Sequence, residues 1–262
     1  MIDSMTSAGF QPKPIVTLPS VPDSFNTTIL KEELLPFTVR LVRNDEDLCK
    51  AVQIRHSAYA RHLPEFADTL KKPEHEDAED GVVVLLAESK LDGSPLGTMR
   101  IQTNQFKPLS LEESIELPAW LKTKRLAEAT RLGVTNEKGG RLVTTVIFKA
   151  YFQYCQENGI DWMVVTGRAP VDRTYDRLLF DDVFPGGGYT PIRHVGNIPH
   201  RVMRFDVGGA EALWTSAKHP LFDFIFRTNH RDIDIGGRRQ RSSTHTKMQT
   251  PAFPAHGATH PM

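Results

Sequence analysis

Apolar and polar side chains alternate over short stretches in the first half of the chain. Residues 37–42 alternate with a period of two, which is typical of a strand with one buried face. Residues 82–87 are continuously apolar and predict a central strand, and residues 96–103 predict another strand after a turn at Gly93. We therefore expect these two strands to form a hairpin.

Apolar residues recur with helical spacing in two longer segments. The first begins at Asn44 or Asp45, either of which can cap a helix running to about Arg61. The second covers residues 141–156 and is stopped by Asn158-Gly159. The remaining predicted elements are strands over residues 126–134, 161–166 and 202–207 and a short helix over residues 171–179.

The resulting order, β-α-β-β-β-α-β-α-β, predicts an α/β protein of the α+β kind, with helices flanking a mixed sheet. We expect one domain over residues 37–235. Residues 1–36 are rich in proline and predict a mobile N-terminal arm. Residues 236–262 contain no acidic residue and predict a disordered C-terminal tail, which either solubilises the protein or contacts an anionic partner.

The composition narrows the class of protein. The chain has 262 residues, 39% of them hydrophobic, and a formal net charge of zero, so no nucleic acid or anionic membrane is indicated as a partner. Cys49 and Cys155 are far apart, which predicts neither a disulfide framework nor a metal site. The first residues lack a signal-peptide pattern and no long apolar run predicts a transmembrane segment, so we expect a cytoplasmic protein.

Charged side chains interrupt the predicted strands at Arg100, Glu128 and Arg131. Buried charges are costly unless they are paired, so these residues predict either a structural ion cluster or a functional site. In a regular strand Glu128 shares a face with Thr130, while Arg131 points to the other face. Glu128 and Arg131 can line one pocket only where the strand is bulged or splayed.

Six short motifs, in their order and spacing, resemble a known family. Together they are similar to the acyl-homoserine lactone synthases and, more closely, to the bacterial long-chain N-acyl amino acid synthases, which share a GNAT-like acyltransferase fold. The resemblance spans residues 37–235 and implies this fold. The motifs are Arg55-His56-Ser57-Ala58-Tyr59, Glu74-His75-Glu76-Asp77-Ala78-Glu79-Asp80, Gly97-Thr98-Met99-Arg100, Glu128-Ala129-Thr130-Arg131-Leu132-Gly133-Val134, Tyr175-Asp176-Arg177-Leu178-Leu179-Phe180 and His219-Pro220-Leu221-Phe222-Asp223-Phe224.

The resemblance implies an acyl-phosphopantetheine co-substrate and no tightly bound cofactor. In this fold a glycine-containing loop opens a helix and binds the pyrophosphate of coenzyme A. Here the loop is Asn136-Glu137-Lys138-Gly139-Gly140-Arg141, in which only the glycines remain. Gly139, Gly140 and Arg141 are thus candidates for binding a single phosphodiester, as on acyl carrier protein, or else they form a tight turn.

The resemblance also assigns candidate roles in aminolysis of a thioester. Glu128 is the candidate general base, directly or through water, because a carboxyl among apolar strand residues has a raised pKa. Backbone N–H groups from Leu132 to Val134 are candidate oxyanion donors where the strand splays. Tyr175 either protonates the leaving thiol or is a packed tyrosine.

The acceptor amino acid has its own candidates. Arg100 and Arg131 can hold its carboxylate with their guanidinium forks, or can join Glu128 in a buried ion network. Asp77 or Asp80 lies near the acceptor amine in the resembling families, or belongs to a solvated loop. Arg55 pairs with this acidic segment or faces solvent.

These assignments predict an N-acyltransferase. It would move a fatty acyl group from an acyl-thioester, on acyl carrier protein as the partner, to the α-amine of an amino acid, and the N-acyl amino acid formed would be a lipid signal or surfactant. One alternative is an acyl-homoserine lactone synthase that uses S-adenosylmethionine. Another is a non-catalytic module that binds acyl-thioesters. His194 and His200 belong either to a carrier-protein contact or to a polar surface loop.

Overall fold

A computed structural model describes residues 30–136 and 139–236. The predicted N-terminal arm lies outside the described residues up to position 29, and the predicted C-terminal tail lies outside them from position 237. The loop before the second long helix is described except for Glu137 and Lys138.

The strands and helices follow the predicted order, with several short additions. The strands are β1 Lys31–Glu32, β2 Phe37–Leu41, β3 Val82–Ser89, β4 Pro95–Thr103, β5 Leu126–Val134, β6 Trp162–Gly167, β7 Asp181–Asp182, β8 Thr190–Ile192, β9 Ile198–Asp206, β10 Thr228–Asn229 and β11 Ile233–Asp234. The helices are α1 Asp45–Ala60, α2 Pro64–Ala67, α3 Ala119–Lys122, α4 Gly140–Glu157, α5 Asp172–Arg177 and α6 Ala210–Ser216, and a π-helical turn covers Asp223–Arg227.

One mixed sheet carries the fold. Its strands lie in the order β11-β2-β3-β4-β5-β6-β9-β7, and β8 also pairs with β9. The contacts β5–β6 and β11–β2 are parallel and the others antiparallel, including the β3–β4 hairpin that the sequence predicts. The mixed sheet with flanking helices confirms the predicted fold class.

The two long helices cover the centre of this sheet. Asn44 caps α1, since its side chain accepts a hydrogen bond of 2.9 Å from the backbone N–H of Asp47. On α4, Val143 and Ile147 pack so closely over β4 that a Cβ on Gly97 would lie 2.7 Å from each side chain. A glycine in β4 is therefore what lets α4 approach the sheet.

Two short pairings precede or extend the predicted strands. Residues Lys31–Glu32 pair in parallel with Thr228–Asn229, and the side chain of Leu35 is buried in the main core. A strand of two residues is too short to show a period-two pattern, so the sequence does not predict this pairing. The late strand β9 begins at Ile198 rather than at residue 202.

A candidate acyl-transfer site between two diverging strands

Strand β5 contains a bulge at its centre. Thr98 pairs with Gly133 and Arg100 pairs with Thr130, so Met99 alone lies opposite two residues of β5. One of those two is Arg131, whose φ of 55° lies in the left-handed region. The strand is therefore bulged at Arg131, and this bulge allows the side chains of Glu128 and Arg131 to share one face.

Strands β5 and β6 diverge just beyond this bulge. Their pairing runs only from Leu126 with Trp162 to Ala129 with Val165. A pocket of about 270 Å³ opens where the strands separate, with residues 129–134 on one side and Thr166 and Tyr175 on the other. Residues 58–63, at the end of α1 and just beyond it, close a third side.

The backbone of β5 turns polar groups toward this pocket. The N–H of Thr135 donates to the carbonyl of Leu96 on β4 at 2.8 Å, so the groups of its neighbour Val134 point away from β4. The carbonyl of Val134 accordingly accepts from Arg61 at 2.6 Å. The N–H of Val134 points to the same side by this alternation, and Leu132 and Val134 both line the pocket, so their N–H groups are the candidate donors to a developing oxyanion.

Tyr175 forms the opposite wall of the pocket. Its ring lies against Gly167 at the end of β6, where a Cβ would come within 2.8 Å of the ring, and packs edge-on against Phe148 of α4. Burial raises the pKa of the Tyr175 hydroxyl well above its ordinary value, so this group is a proton donor throughout the neutral range. Tyr175 is therefore both packed in the core and accessible to a ligand in the pocket.

The arginines predicted for the acceptor belong to a buried ion cluster with the acidic segment. Arg55 pairs with Asp77 through two hydrogen bonds of 2.9 and 2.8 Å, and Arg131 pairs with Glu74 through two of 2.7 and 2.6 Å. Arg100 lies 3.3 Å from Glu74 and 3.4 Å from Asp77. The predicted ion network is thus present, although Glu74 and Asp77 are its anions.

This cluster controls the ionisation of its own carboxylates. Burial opposes the charge on Glu74 and Asp77, but the hydrogen bonds and charges of Arg131 and Arg55 overcome it, so the pKa of each carboxyl is lowered. Both carboxylates stay ionised at neutral pH. Arg55 therefore faces the acidic segment and not solvent, whereas Asp80 is exposed and lies outside the cluster.

Arg131 differs from Arg100 in its relation to the pocket. Arg131 lines the pocket, and its Nη1 is buried without a hydrogen-bond partner among the described residues. Its Nη2 also donates to the carbonyl of His194 at 2.9 Å. Arg100 lies behind the wall and donates through Nε to Thr130 at 3.2 Å. Of these two arginines, Arg131 is thus the one that can reach a ligand in the pocket.

Glu128 is a completely buried acid beside the pocket. Its side chain is 0% exposed, and its Oε2 accepts a hydrogen bond of 3.1 Å from the N–H of Leu111. Burial raises the pKa of Glu128 to about 7, against the lowering effects of this hydrogen bond and of Arg100 and Arg131. The raised pKa agrees with the sequence prediction, but Glu128 does not form part of the pocket wall.

His194 stands between Glu128 and the pocket. It lies in the turn Arg193–Val195 before β9 and lines the pocket, and its Nε2 is 3.6 Å from Oε1 of Glu128. The sequence places His194 only in a polar loop, because its proximity to Glu128 depends on the path of the chain between β8 and β9. His200 also lines the pocket, where its Nδ1 lies 2.7 Å from the carbonyl of Ile198.

The predicted phosphate-binding residues lie at the start of α4. Gly139 precedes the helix with φ of 114°, and a Cβ on Gly140 would lie 2.6 Å from the carbonyl oxygen of Thr135. Both glycines are therefore required by the turn itself. The first turns of the helix reach the pocket through Thr144, and Arg141 is exposed.

A narrow apolar cleft lies on the other side of Tyr175. It measures about 30 Å³, and its walls come from α4, β6, β9 and the segment after α6. Phe148 and Phe180, which flank the Tyr175 ring, form the wall nearest the pocket. The other residues that line it are Thr145, Phe152, Met163, Leu178, Phe205, Trp214, Ile225 and Phe226.

The described residues contain neither a membrane-spanning helix nor a cluster of metal ligands. Over residues 30–136 and 139–236, no helix is long and apolar enough to cross a membrane. In the same ranges no three His, Cys, Asp or Glu side chains converge as ligands for a metal ion.

Comparison with known proteins relates the chain by structure and not by sequence. No protein family profile matches the chain, and no curated protein matches it in sequence. FeeM, an N-acyl amino acid synthase from uncultured soil microbes, superimposes with a TM-score of 0.55 at 18% identity, over 69% of this chain and 96% of that one. BjaI, a coenzyme A-dependent acyl-homoserine lactone synthase solved with SAM and isopentyl-CoA, gives 0.51 at 15% identity, over 74% and 93%. The chain therefore has the GNAT-like acyltransferase fold that the sequence predicts, in the form found in these two synthases.

Proposed function

We propose that this protein is an N-acyltransferase that moves a fatty acyl group from an acyl-thioester to the α-amine of an amino acid. The observation that carries the proposal is the pocket between β5 and β6, which has backbone donors on one wall and the Tyr175 hydroxyl on the other. Aminolysis of a thioester needs these two functions on opposite sides of one carbonyl carbon.

The reaction follows from this placement. With the thioester carbonyl beside Leu132 and Val134, their N–H groups stabilise the oxyanion that forms when the amine attacks. A C–N bond forms, the C–S bond breaks, and the thiolate receives a proton from Tyr175. The amine must lose a proton in the same sequence of steps, which requires a base on the acceptor side of the pocket.

The carboxylate of the acceptor has one well-placed partner. Arg131 lines the pocket, and its Nη1 is buried and unpaired, so this group can donate to a carboxylate oxygen that enters beside it. Its other donors are held by Glu74 and by the carbonyl of His194, which orients the guanidinium. An acceptor with a free carboxylate is thereby favoured over a simple amine.

The acyl chain and its carrier are assigned to the apolar cleft and to the start of α4. The apolar cleft beyond Tyr175 is the place for the fatty chain, and its aromatic side chains must move to admit more than the first methylenes, because the cleft measures only about 30 Å³. The start of α4 is the place for the phosphodiester of a pantetheine arm, with Gly139 and Gly140 supplying backbone N–H groups and Arg141 a positive charge. One phosphodiester with this small basic contribution favours acyl carrier protein over coenzyme A.

The proposal is tested by supplying purified protein with acyl carrier proteins of several chain lengths and a mixture of amino acids. Thiol release and mass spectrometry of the lipid products are measured, with Tyr175→Phe as the matched variant. We expect acyl amides of one acceptor class, and slower thiol release in Tyr175→Phe. Release of methylthioadenosine from S-adenosylmethionine would instead identify a homoserine lactone synthase, and binding of acyl carrier without thiol release would identify a non-catalytic module.

A further inference from the structure

Glu128 is separated from the reacting groups by the ring of His194. Glu128 is completely buried and lies outside the pocket wall, whereas His194 forms part of that wall. The two side chains approach to 3.6 Å between Oε1 and Nε2. A proton that leaves the pocket for Glu128 by way of side chains therefore meets His194 first.

The polar atoms of this pair are poorly partnered. Oε1 of Glu128 and both ring nitrogens of His194 are buried and make no well-formed hydrogen bond among the described residues, although the backbone of Ser110 lies close enough to the His194 ring to favour its protonation. The side chain of His194 is only 8% exposed. Buried histidines that serve packing are normally hydrogen-bonded, since an unpaired buried polar group destabilises the fold. A separation of 3.6 Å becomes a hydrogen bond after a shift of a few tenths of an ångström.

The charges around His194 keep its ring neutral. Arg131 faces it from β5, Arg100 from β4, and His200 from β9, and Glu128 is the acid in contact with it. Burial and the two arginines lower the pKa of His194 to about 4, so at neutral pH a ring nitrogen is available to accept a proton. Glu128 is itself faced by Arg100, Arg131 and Glu112.

The geometry points to His194 as the catalytic residue that removes the proton from the attacking amine, with Glu128 as the positioning residue behind it. This assignment rests on the proposed function. The neutral ring donates one N–H to the Glu128 carboxylate and accepts the amine proton on its other nitrogen as the C–N bond forms. When the C–S bond breaks, the proton lost by the amine balances the one that Tyr175 gives to the thiolate, and Tyr175 is reprotonated from the pair or from water.

The experiment compares the rates of amide formation by the wild type, His194→Gln, Glu128→Gln and the double variant across pH 5–9. We expect a loss of about 10²- to 10⁴-fold in kcat for His194→Gln. We expect a smaller loss for Glu128→Gln, and a double variant no slower than His194→Gln, because both residues act in one proton transfer. The rise of kcat/KM with pH that Glu128 causes should be absent from Glu128→Gln.

A second acceptor keeps the test independent of folding. Hydroxylamine is a weaker base than an α-amine and is unprotonated at neutral pH, so its acylation should depend much less on His194. His230→Gln is the matched control, since His230 is a buried histidine that lines neither the pocket nor the apolar cleft, and we expect less than about a threefold change in rate.

The possible results distinguish a failure of the His194 assignment from a failure of the proposed function. Wild-type kcat in His194→Gln, or an equal loss with both acceptors and in His230→Gln, would overturn the assignment while the proposed function stands. A wild-type protein that forms no amide with any carrier or acceptor would overturn the proposed function and this assignment with it.

Discussion

Glu128 and Arg131 lie on the same side of β5 although a regular strand would turn them to opposite faces. The reversal is produced by the bulge at Arg131, whose φ of 55° costs about 1–2 kcal/mol for a residue with a Cβ. The paired hydrogen bonds between Arg131 and Glu74 hold that conformation in place. The same bulge ends the regular alternation beside the pocket and so contributes to the site.

Replacing Arg131 by lysine should weaken recognition of the acceptor carboxylate. Lysine keeps the charge but not the planar fork, so it cannot hold Glu74 and a ligand together. We expect KM for the amino acid to rise by about tenfold or more, with little change in KM for the corresponding amino acid amide. The variant Arg100→Lys is the control, because Arg100 lies in the same cluster but away from the pocket wall. Equal effects on acid and amide would contradict this role.

The raised pKa of Glu128 should make stability depend on pH. A pKa that is higher in the folded protein favours folding while the group is protonated, so stability is present at low pH and is lost as Glu128 ionises. The contribution of Glu128 to the free energy of unfolding should therefore fall between about pH 4.5 and pH 7, by on the order of 3 kcal/mol at most.

Urea unfolding at pH 5 and pH 8 measures this effect. Glu74 and Asp77 have lowered pKa values and remain ionised across this range, so their contributions do not change with pH. Burial lowers the pKa values of His194, His200 and His230, so their contributions to stability rise with pH in the wild type and in the variant alike. The stability of the wild type relative to Glu128→Gln should therefore fall between pH 5 and pH 8. An equal pH dependence in the two proteins would assign it to other groups.

Breaking the buried pair of Arg55 and Asp77 should destabilise the fold strongly. Both side chains are 0% exposed, so Arg55→Met leaves a buried carboxylate with one hydrogen bond from the N–H of Glu74 and a weaker contact to Arg100. We expect a loss of about 3–5 kcal/mol in the free energy of unfolding, measured with urea. Adding Asp77→Leu should cost less than the sum of the single changes.

An exposed pair gives the control for the buried one. Arg43 and Asp234 are 3.3 Å apart, with side chains 56% and 36% exposed. Arg43→Met should cost less than about 1 kcal/mol. A comparable loss in Arg43→Met and Arg55→Met would show that burial of the pair is not what determines its contribution.

Shortening the far wall of the apolar cleft should change the preferred acyl chain. Phe226 lines the cleft, and Phe222 packs against it at 5.2 Å between ring centroids without lining it. Phe226→Ala should shift the products toward longer chains by opening space at the end of the cleft, and Phe222→Ala should not. Mass spectrometry of products from a mixture of acyl carriers measures the shift. An unchanged distribution in Phe226→Ala would place the chain elsewhere.

Local sequence patterns are sufficient to predict the element order and the mixed type of the sheet. The period-two and helical patterns are local, because they depend only on which neighbouring side chains are buried. The glycine-bearing loop before α4 and the acidic segment from Glu74 to Asp80 were recognisable for the same reason. The charged residues of the strands were also evident, since a charge in an apolar strand stands out wherever the strand is placed.

The arrangement of those charges depends on contacts between residues that are far apart in the chain. Glu74 meets Arg131 across 57 positions of the chain and His194 meets Glu128 across 66, and no local pattern encodes contacts of that range. The sequence shows that Glu128 and Arg131 need a bulge in order to share a face, but it does not show that the bulge exists. A left-handed backbone conformation at Arg131 depends on the distant residues that hold the side chain. The pocket also depends on contacts between distant residues. It forms where β5 and β6 stop pairing after Ala129 and Val165, so it is determined by the relative position of two strands and not by the sequence of either one.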